Sequence, residues 1–79
     1  MTNEEIFAGL KEILAVVKPK LDLSTVGPQS SLLGELGIDS LSMLLLSLAI
    51  EDKFKIKFDT DQRFESVAQV IEYIANTVE

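Results

Sequence analysis

At 79 residues the chain is sized for one small domain over positions 1–79, near the limit at which a single apolar core suffices, and without cysteine no disulfide reinforces it. Thirteen acidic residues against seven basic give a formal charge of -6, which excludes a nucleic-acid binder, because such a protein needs cations to displace phosphate counterions. The acidity favours basic partner surfaces, beside the solubility that modest charge confers.

From Thr2 to Lys18 the apolar residues Ile6, Phe7, Leu10, Ile13, Leu14 and Val17 recur every three or four positions. Together with a Thr2/Glu5 capping box they predict a helix of about four turns that Pro19 ends. Residues 1–12 carry Glu4, Glu5, Lys11 and Glu12 rather than a basic start and an apolar run, so no signal peptide is expected and the location predicted is cytoplasmic. From Lys20 to Asp39 loop formers dominate, among them Gly27-Pro28, Ser30-Ser31, Gly34 and Gly37. The intervening Leu21, Leu23, Val26, Leu32, Leu33 and Leu36 predict a long loop that is packed down and of the kind that often holds function.

Asp39 is the expected N-cap of a second helix running to about Lys53. Its stretch Leu41-Ser42-Met43-Leu44-Leu45-Leu46-Ser47-Leu48-Ala49-Ile50 is apolar around most of the circumference, as in a central helix or one that shows apolar surface to a partner. The helix is too short to span a bilayer, so no membrane insertion is expected. Residues Phe54-Lys55-Ile56-Lys57-Phe58 alternate like a strand. With no second strand to pair with, they are expected to form an extended connector with Phe54, Ile56 and Phe58 turned inward. Asp59 with Gln62 opens a short helical turn, and Ser66 with Gln69 opens a last helix with Val67, Val70, Ile71, Ile74, Ala75 and Val78 in one stripe. The fold expected is all-α, a small four-helix up-and-down bundle with a long first loop and a short third helix. Ile6, Leu10, Leu46, Ile50, Phe54, Val70 and Ile74 are its candidate core.

Within Leu36-Gly37-Ile38-Asp39-Ser40-Leu41, Ser40 sits where a glycine loop closes and the apolar helix begins. A catalytic serine needs a base in hydrogen-bond reach, a thioester-forming enzyme needs a reactive cysteine, and zinc sites draw on Cys and His; the chain has neither Cys nor His. No lysine lies on the first turns of the helix, and no EF-hand loop occurs. No catalytic residue and no metal site are therefore expected, and another protein must act on Ser40.

That segment resembles the phosphopantetheine-attachment motif of acyl carrier proteins, in which Leu-Gly, a variable residue and Asp-Ser-Leu precede the second helix of a four-helix bundle. The resemblance spans nearly the whole chain: Ser31 to Glu35, the end of the second helix at Glu51 to Phe54, the connector to Phe58, and Ser66 to Ile74. It implies that a phosphopantetheinyl transferase attaches 4'-phosphopantetheine from coenzyme A to the Ser40 hydroxyl. Asp39, Gly37 and Leu41 then complete the attachment motif, although Asp39 also serves as a plain N-cap, Gly37 as a turn residue, and Leu41 as core or partner face. The arm would bear acyl groups as thioesters, offered to acyl-transferring, condensing and modifying enzymes of a fatty-acid, polyketide or related pathway by a monomeric, non-catalytic carrier.

Carriers of fatty-acid synthesis typically place acidic residues on the second helix, at positions that align here with Ser42 and Leu45, and Lys53, Lys55 and Lys57 stand where such carriers are often acidic. The departure implies a specialised carrier whose partner face comprises Leu45, Leu48, Ser42 and Met43, docking by apolar contact. Two other readings remain at this stage. One is a peptidyl or aminoacyl carrier, which would usually show Gly-Gly-His-Ser where this chain has Gly37-Ile38-Asp39-Ser40. The other is an unmodified helical adaptor.

Overall fold

The computed structural model describes residues 2–58 and 64–77. Among them are three α-helices, α1 (Asn3–Val17), α2 (Ser40–Phe54) and α3 (Val67–Thr77), a 3-10 turn at Leu23–Thr25, and no named strand. The all-α expectation stands, and three of the four expected helices lie among the described residues. The short third helix, expected to open at Asp59 and Gln62, falls outside the described residues. A 3-10 element that the sequence did not suggest lies in the first loop, where the Asp22 carboxylate accepts the Ser24 N–H at 3.0 Å.

α1 begins at the predicted capping box. Thr2 Oγ1 accepts the Glu5 N–H and Glu5 Oε1 accepts the Thr2 N–H, satisfying two otherwise orphan donors. α2 runs antiparallel to α1, with Gly9 facing Phe54 and Lys53 pairing with Glu12 at 3.1 Å. Gly9 is in mid-helix because the two helices touch there: a Cβ would lie 2.8 Å from Phe54 Cζ and 3.1 Å from Lys53 Cε. Every residue of the predicted core is buried. The α1–α3 seam closes around Leu10, Leu14, Leu46, Val67 and Val70, which with Leu32 leave a gap of only about 10 Å³.

The connector differs from its prediction. Phe54 belongs to α2 as its last residue, and Lys55 follows in the left-handed conformation (φ 57°), a chain reversal that ends the helix. Beyond it Ile56 and Phe58 pack inward as the alternation required. Phe58, Phe64 and Tyr73 cluster with all centroids 5.1 to 5.6 Å apart, the two phenylalanines tilted and Tyr73 edge-on to both. The long loop is packed down through Val26, Leu32, Leu36 and Ile38, with Leu21 and Leu23 partly covered. Leu33 is the exception: it points outward, 68% exposed.

Three carboxylates that hold local turns, Glu5, Asp22 and Asp39, are depressed below their ordinary values of 4.5, 3.8 and 3.8, each mainly by hydrogen bonds it accepts nearby. A folded-state pKa below the unfolded one adds stability that is complete above the unfolded value and vanishes as pH falls through the folded one. Thermal melts between pH 6 and pH 2 should therefore show a loss that begins near the ordinary carboxylate range. Asp39→Asn keeps the capping acceptor but cannot titrate, so its loss over the same range should be smaller than the parent's. Equal losses in the two proteins would contradict this account of Asp39.

Candidate functional site

The loop before α2 builds a tight turn out of its own backbone. Ser31 carbonyl accepts the N–H groups of Glu35 and Leu36, Leu33 carbonyl accepts that of Gly37, and Leu32 carbonyl accepts that of Ile38 at 2.8 Å. Gly37 has φ 66° with open space where a Cβ would stand. Glycine is therefore needed there for the dihedral and not for room. Buried Leu36 and Ile38 anchor the turn on either side.

From that anchor the chain enters α2 through Asp39, whose extended backbone (φ -82°, ψ -172°) and carboxylate make it the N-cap, accepting the Ser42 N–H at 2.9 Å. The Asp39 carboxyl is held below the usual range first by that N–H, then by the Ser42 hydroxyl, with a smaller contribution from Lys18. Ser40 is consequently the first helical residue, and its side chain is exposed. The Ser40 and Leu41 N–H groups have no partner among the described residues, and neither does the Ser40 hydroxyl. An exposed hydroxyl beside two free donors at the positive end of a helix dipole suits a phosphate ester at this residue.

An apolar face continues from Ser40 along α2. Leu41, Leu44, Leu45 and Leu48, spaced i, i+3, i+4 and i+7, are 68%, 49%, 47% and 55% exposed. The opposite face, with Leu46, Ser47, Ile50 and Phe54, is buried. Leu33, on the loop that leads to Ser40, is exposed as well.

Residues 9–74 match the profile of the phosphopantetheine attachment site family. The chain is 38% identical over 78 residues to an acyl carrier protein of Streptomyces coelicolor, covering 96% of this chain and 85% of that one. It is 36% identical over 78 residues to an acyl carrier protein of Acidothermus cellulolyticus, covering 96% and 92%. A third relative, a meromycolate extension acyl carrier protein of Mycolicibacterium smegmatis, is 39% identical over 75 residues, covering 92% and 75%.

The chain belongs to the acyl carrier protein family. Its cofactor is accordingly 4'-phosphopantetheine, and its role is that of a carrier for acyl groups. For an acyl carrier protein the start of α2 is well suited to that group. The structure brings Gly37, Asp39, Ser40 and Leu41 together in one exposed turn, and resolves Leu41, which the sequence left between core and surface, as surface.

The four residues expected on the partner face separate. Leu45 and Leu48 lie on the exposed stripe, Ser42 is buried under the cap it helps form, and Met43 is half-buried against the core. Ser42 and Met43 sit on the inner half of α2, the half that carries Leu46 and Ile50. Leu44 takes their place on the stripe. Its spacing from Leu41 and Leu48 puts it on their face but does not say that the face is outward, and Leu33 sits in a loop with no periodicity to reveal it.

Proposed function

We propose that Ser40 is the residue that bears the phosphopantetheine arm, and that residues 1–79 act as one carrier unit in the cytoplasm. The observation behind this is the exposed Ser40 hydroxyl at the first position of α2, directly after the Asp39 cap. A separate phosphopantetheinyl transferase would form the phosphodiester to Ser40 Oγ, whose proton leaves as coenzyme A is cleaved to the 3',5'-bisphosphate of adenosine. Asp39 keeps the first turn of α2 closed, Gly37 lets the chain turn into it, and the free Ser40 and Leu41 N–H groups favour the ester's negative charge. When bound, the arm supplies the thiol this cysteine-free chain lacks, on which acyl groups are held as thioesters. The setting proposed is fatty-acid, polyketide or related lipid assembly, and the relative named for meromycolate extension supports its lipid side. Intact mass after incubation with coenzyme A and a broad-specificity transferase tests the reading. One phosphopantetheine per chain is expected, and an unchanged mass would return the chain to the adaptor reading.

The exposed stripe of Leu41, Leu44, Leu45 and Leu48 supports docking of pathway enzymes on α2 by burial of apolar surface. Contact of that kind tolerates salt, whereas docking steered by exposed charges weakens as the Debye length falls from about 10 Å at 0.1 M to about 3 Å at 1 M. Titrating the loaded carrier against its condensing enzyme should give similar affinity at low and high salt. Leu45→Glu should weaken binding by about tenfold or more, since a buried leucine is worth about 1.5–3 kcal/mol and the replacement strands a charge. Steep salt dependence in the parent, or unchanged affinity in the variant, would point back to charge-steered docking.

A further inference from the structure

α3 starts against the loop that leads to Ser40. The first N–H groups of a helix lack intrahelical partners, and here Val67 donates to the Ser30 carbonyl at 3.1 Å and Ala68 to the Pro28 carbonyl at 2.6 Å. In the other direction the Leu32 N–H donates to the Glu65 carbonyl at 3.0 Å, and Ser31 and Ser66 form an isolated antiparallel bridge. Leu32 is bonded at both ends, because its carbonyl accepts the Ile38 N–H at 2.8 Å. Two successive backbone hydrogen bonds thus run from Glu65 through Leu32 to Ile38, two residues before Ser40. The side chains of Leu32 and Ile38 are both buried, so the relay is rigid at its joints.

Its outer end is held by a side chain. Gln69 Oε1 accepts the Glu65 N–H at 2.6 Å while the Gln69 N–H donates to Ser66 Oγ at 3.4 Å. This is a capping box displaced by one residue, with the Gln69 side chain reaching back past Ser66. Gln69 is exposed and contributes nothing to the apolar core. Fixing Glu65 is the one polar contact its side chain makes among the described residues.

We propose that Gln69 is a positioning residue for the attachment site: by pinning Glu65 it holds Leu32 and Ile38, and through them the turn that presents Ser40. The inference rests on Ser40 as the attachment residue. Loosening this latch lowers the fraction of molecules whose turn fits the transferase, which raises the apparent dissociation constant in proportion.

The test is amide exchange on the unmodified full chain, followed by transferase kinetics, for Gln69→Ala, Gln69→Glu and the control Asn76→Gly. Loss of one hydrogen bond should speed exchange at the Leu32 and Ile38 amides by about fivefold in Gln69→Ala. The same variant should raise the transferase KM by about two- to fivefold with kcat little changed. Gln69→Glu should restore both within about twofold, because its carboxylate accepts the same N–H and glutamate suits that box position. Asn76→Gly weakens α3 at its far end and should leave Leu32 and Ile38 unaffected. Unchanged exchange in Gln69→Ala, no rescue by glutamate, or equal acceleration in Asn76→Gly would each overturn the proposal. Failure of the Ser40 reading shows separately, as an arm attached to some other residue, and leaves the exchange result standing.

Discussion

Ser40→Ala should fold and melt like the parent and accept no phosphopantetheine at all. The first half follows from the position. Ser40 is exposed, its hydroxyl bonds to nothing among the described residues, and the cap of α2 is made by Asp39 and not by Ser40. Removing an exposed, unpartnered hydroxyl at the first helical position leaves every buried contact in place, and such surface changes stay within about 0.5 kcal/mol. The second half follows from the chemistry, since alanine offers no oxygen to esterify. Intact mass after exhaustive transferase treatment, with a thermal melt on the same sample, checks both. Ser42 and Ser47 are the next serines along α2, and both are buried, so neither is an alternative acceptor in the folded chain. An arm found on Ser40→Ala, or a melt shifted by many degrees, would contradict the assignment.

The contrast with Asp39 shows what the attachment turn asks of each residue. Asp39 has a structural role that any capping acceptor fills in part, and its depressed pKa records the bonds it accepts. Gly37 is required for a dihedral, Leu36 and Ile38 for anchorage, and Ser40 for nothing structural. A residue with no part in holding the fold, set in a turn whose neighbours are all committed to one, is free to be selected for chemistry alone. This is the sense in which fold and site are separable here: the bundle positions Ser40 without depending on it.

Much of this was legible in the residues because the local signals are strong. The Thr2/Glu5 box, the Asp39 cap and the inward positions of α1 and α3 all depend on contacts within one or two turns, and the structure places them as the spacing required, except for Val78, which lies outside the described residues. The start of the connector differs from its prediction because Phe54 obeys two patterns at once, closing the helix and opening an alternation toward Phe58. Only the left-handed Lys55 decides between them, and lysine does not announce such a conformation. The loop's attachment to α3 was invisible for a different reason. It is made of backbone groups from Pro28, Ser30 and Leu32 meeting residues more than thirty positions away, and no side-chain pattern encodes that. The α2 leucines were ambiguous in principle: on a helix apolar nearly all round, periodicity marks no inner face. The rotation of α2 came from what packs against it, with Gly9 admitting Phe54 and Leu10 and Leu14 meeting Leu46.

That ambiguity makes the adjacent pair Leu45 and Leu46 the sharpest measure of the fold. Leu46 is 2% exposed, and with Ile74, which is fully buried, it joins α2 and α3 to the α1 side of the core. Each leucine or isoleucine truncated to alanine in such a site costs about 2–5 kcal/mol, the lost transfer energy plus that of the cavity left behind. The two together should remove about 4–10 kcal/mol, against a total stability of about 5–15 kcal/mol for ordinary domains, toward the lower end for a chain this short. Leu46→Ala with Ile74→Ala should therefore be largely unfolded at room temperature, with its helical circular dichroism lost and no cooperative melt. Leu45→Ala, one residue away and half exposed, should cost under about 1 kcal/mol and melt within a few degrees of the parent. A double variant that still melts cooperatively near the parent temperature would mean that α2 is rotated from the face described. In that case Leu45→Ala would become the damaging change, and the exposed stripe beside Ser40 would be the core.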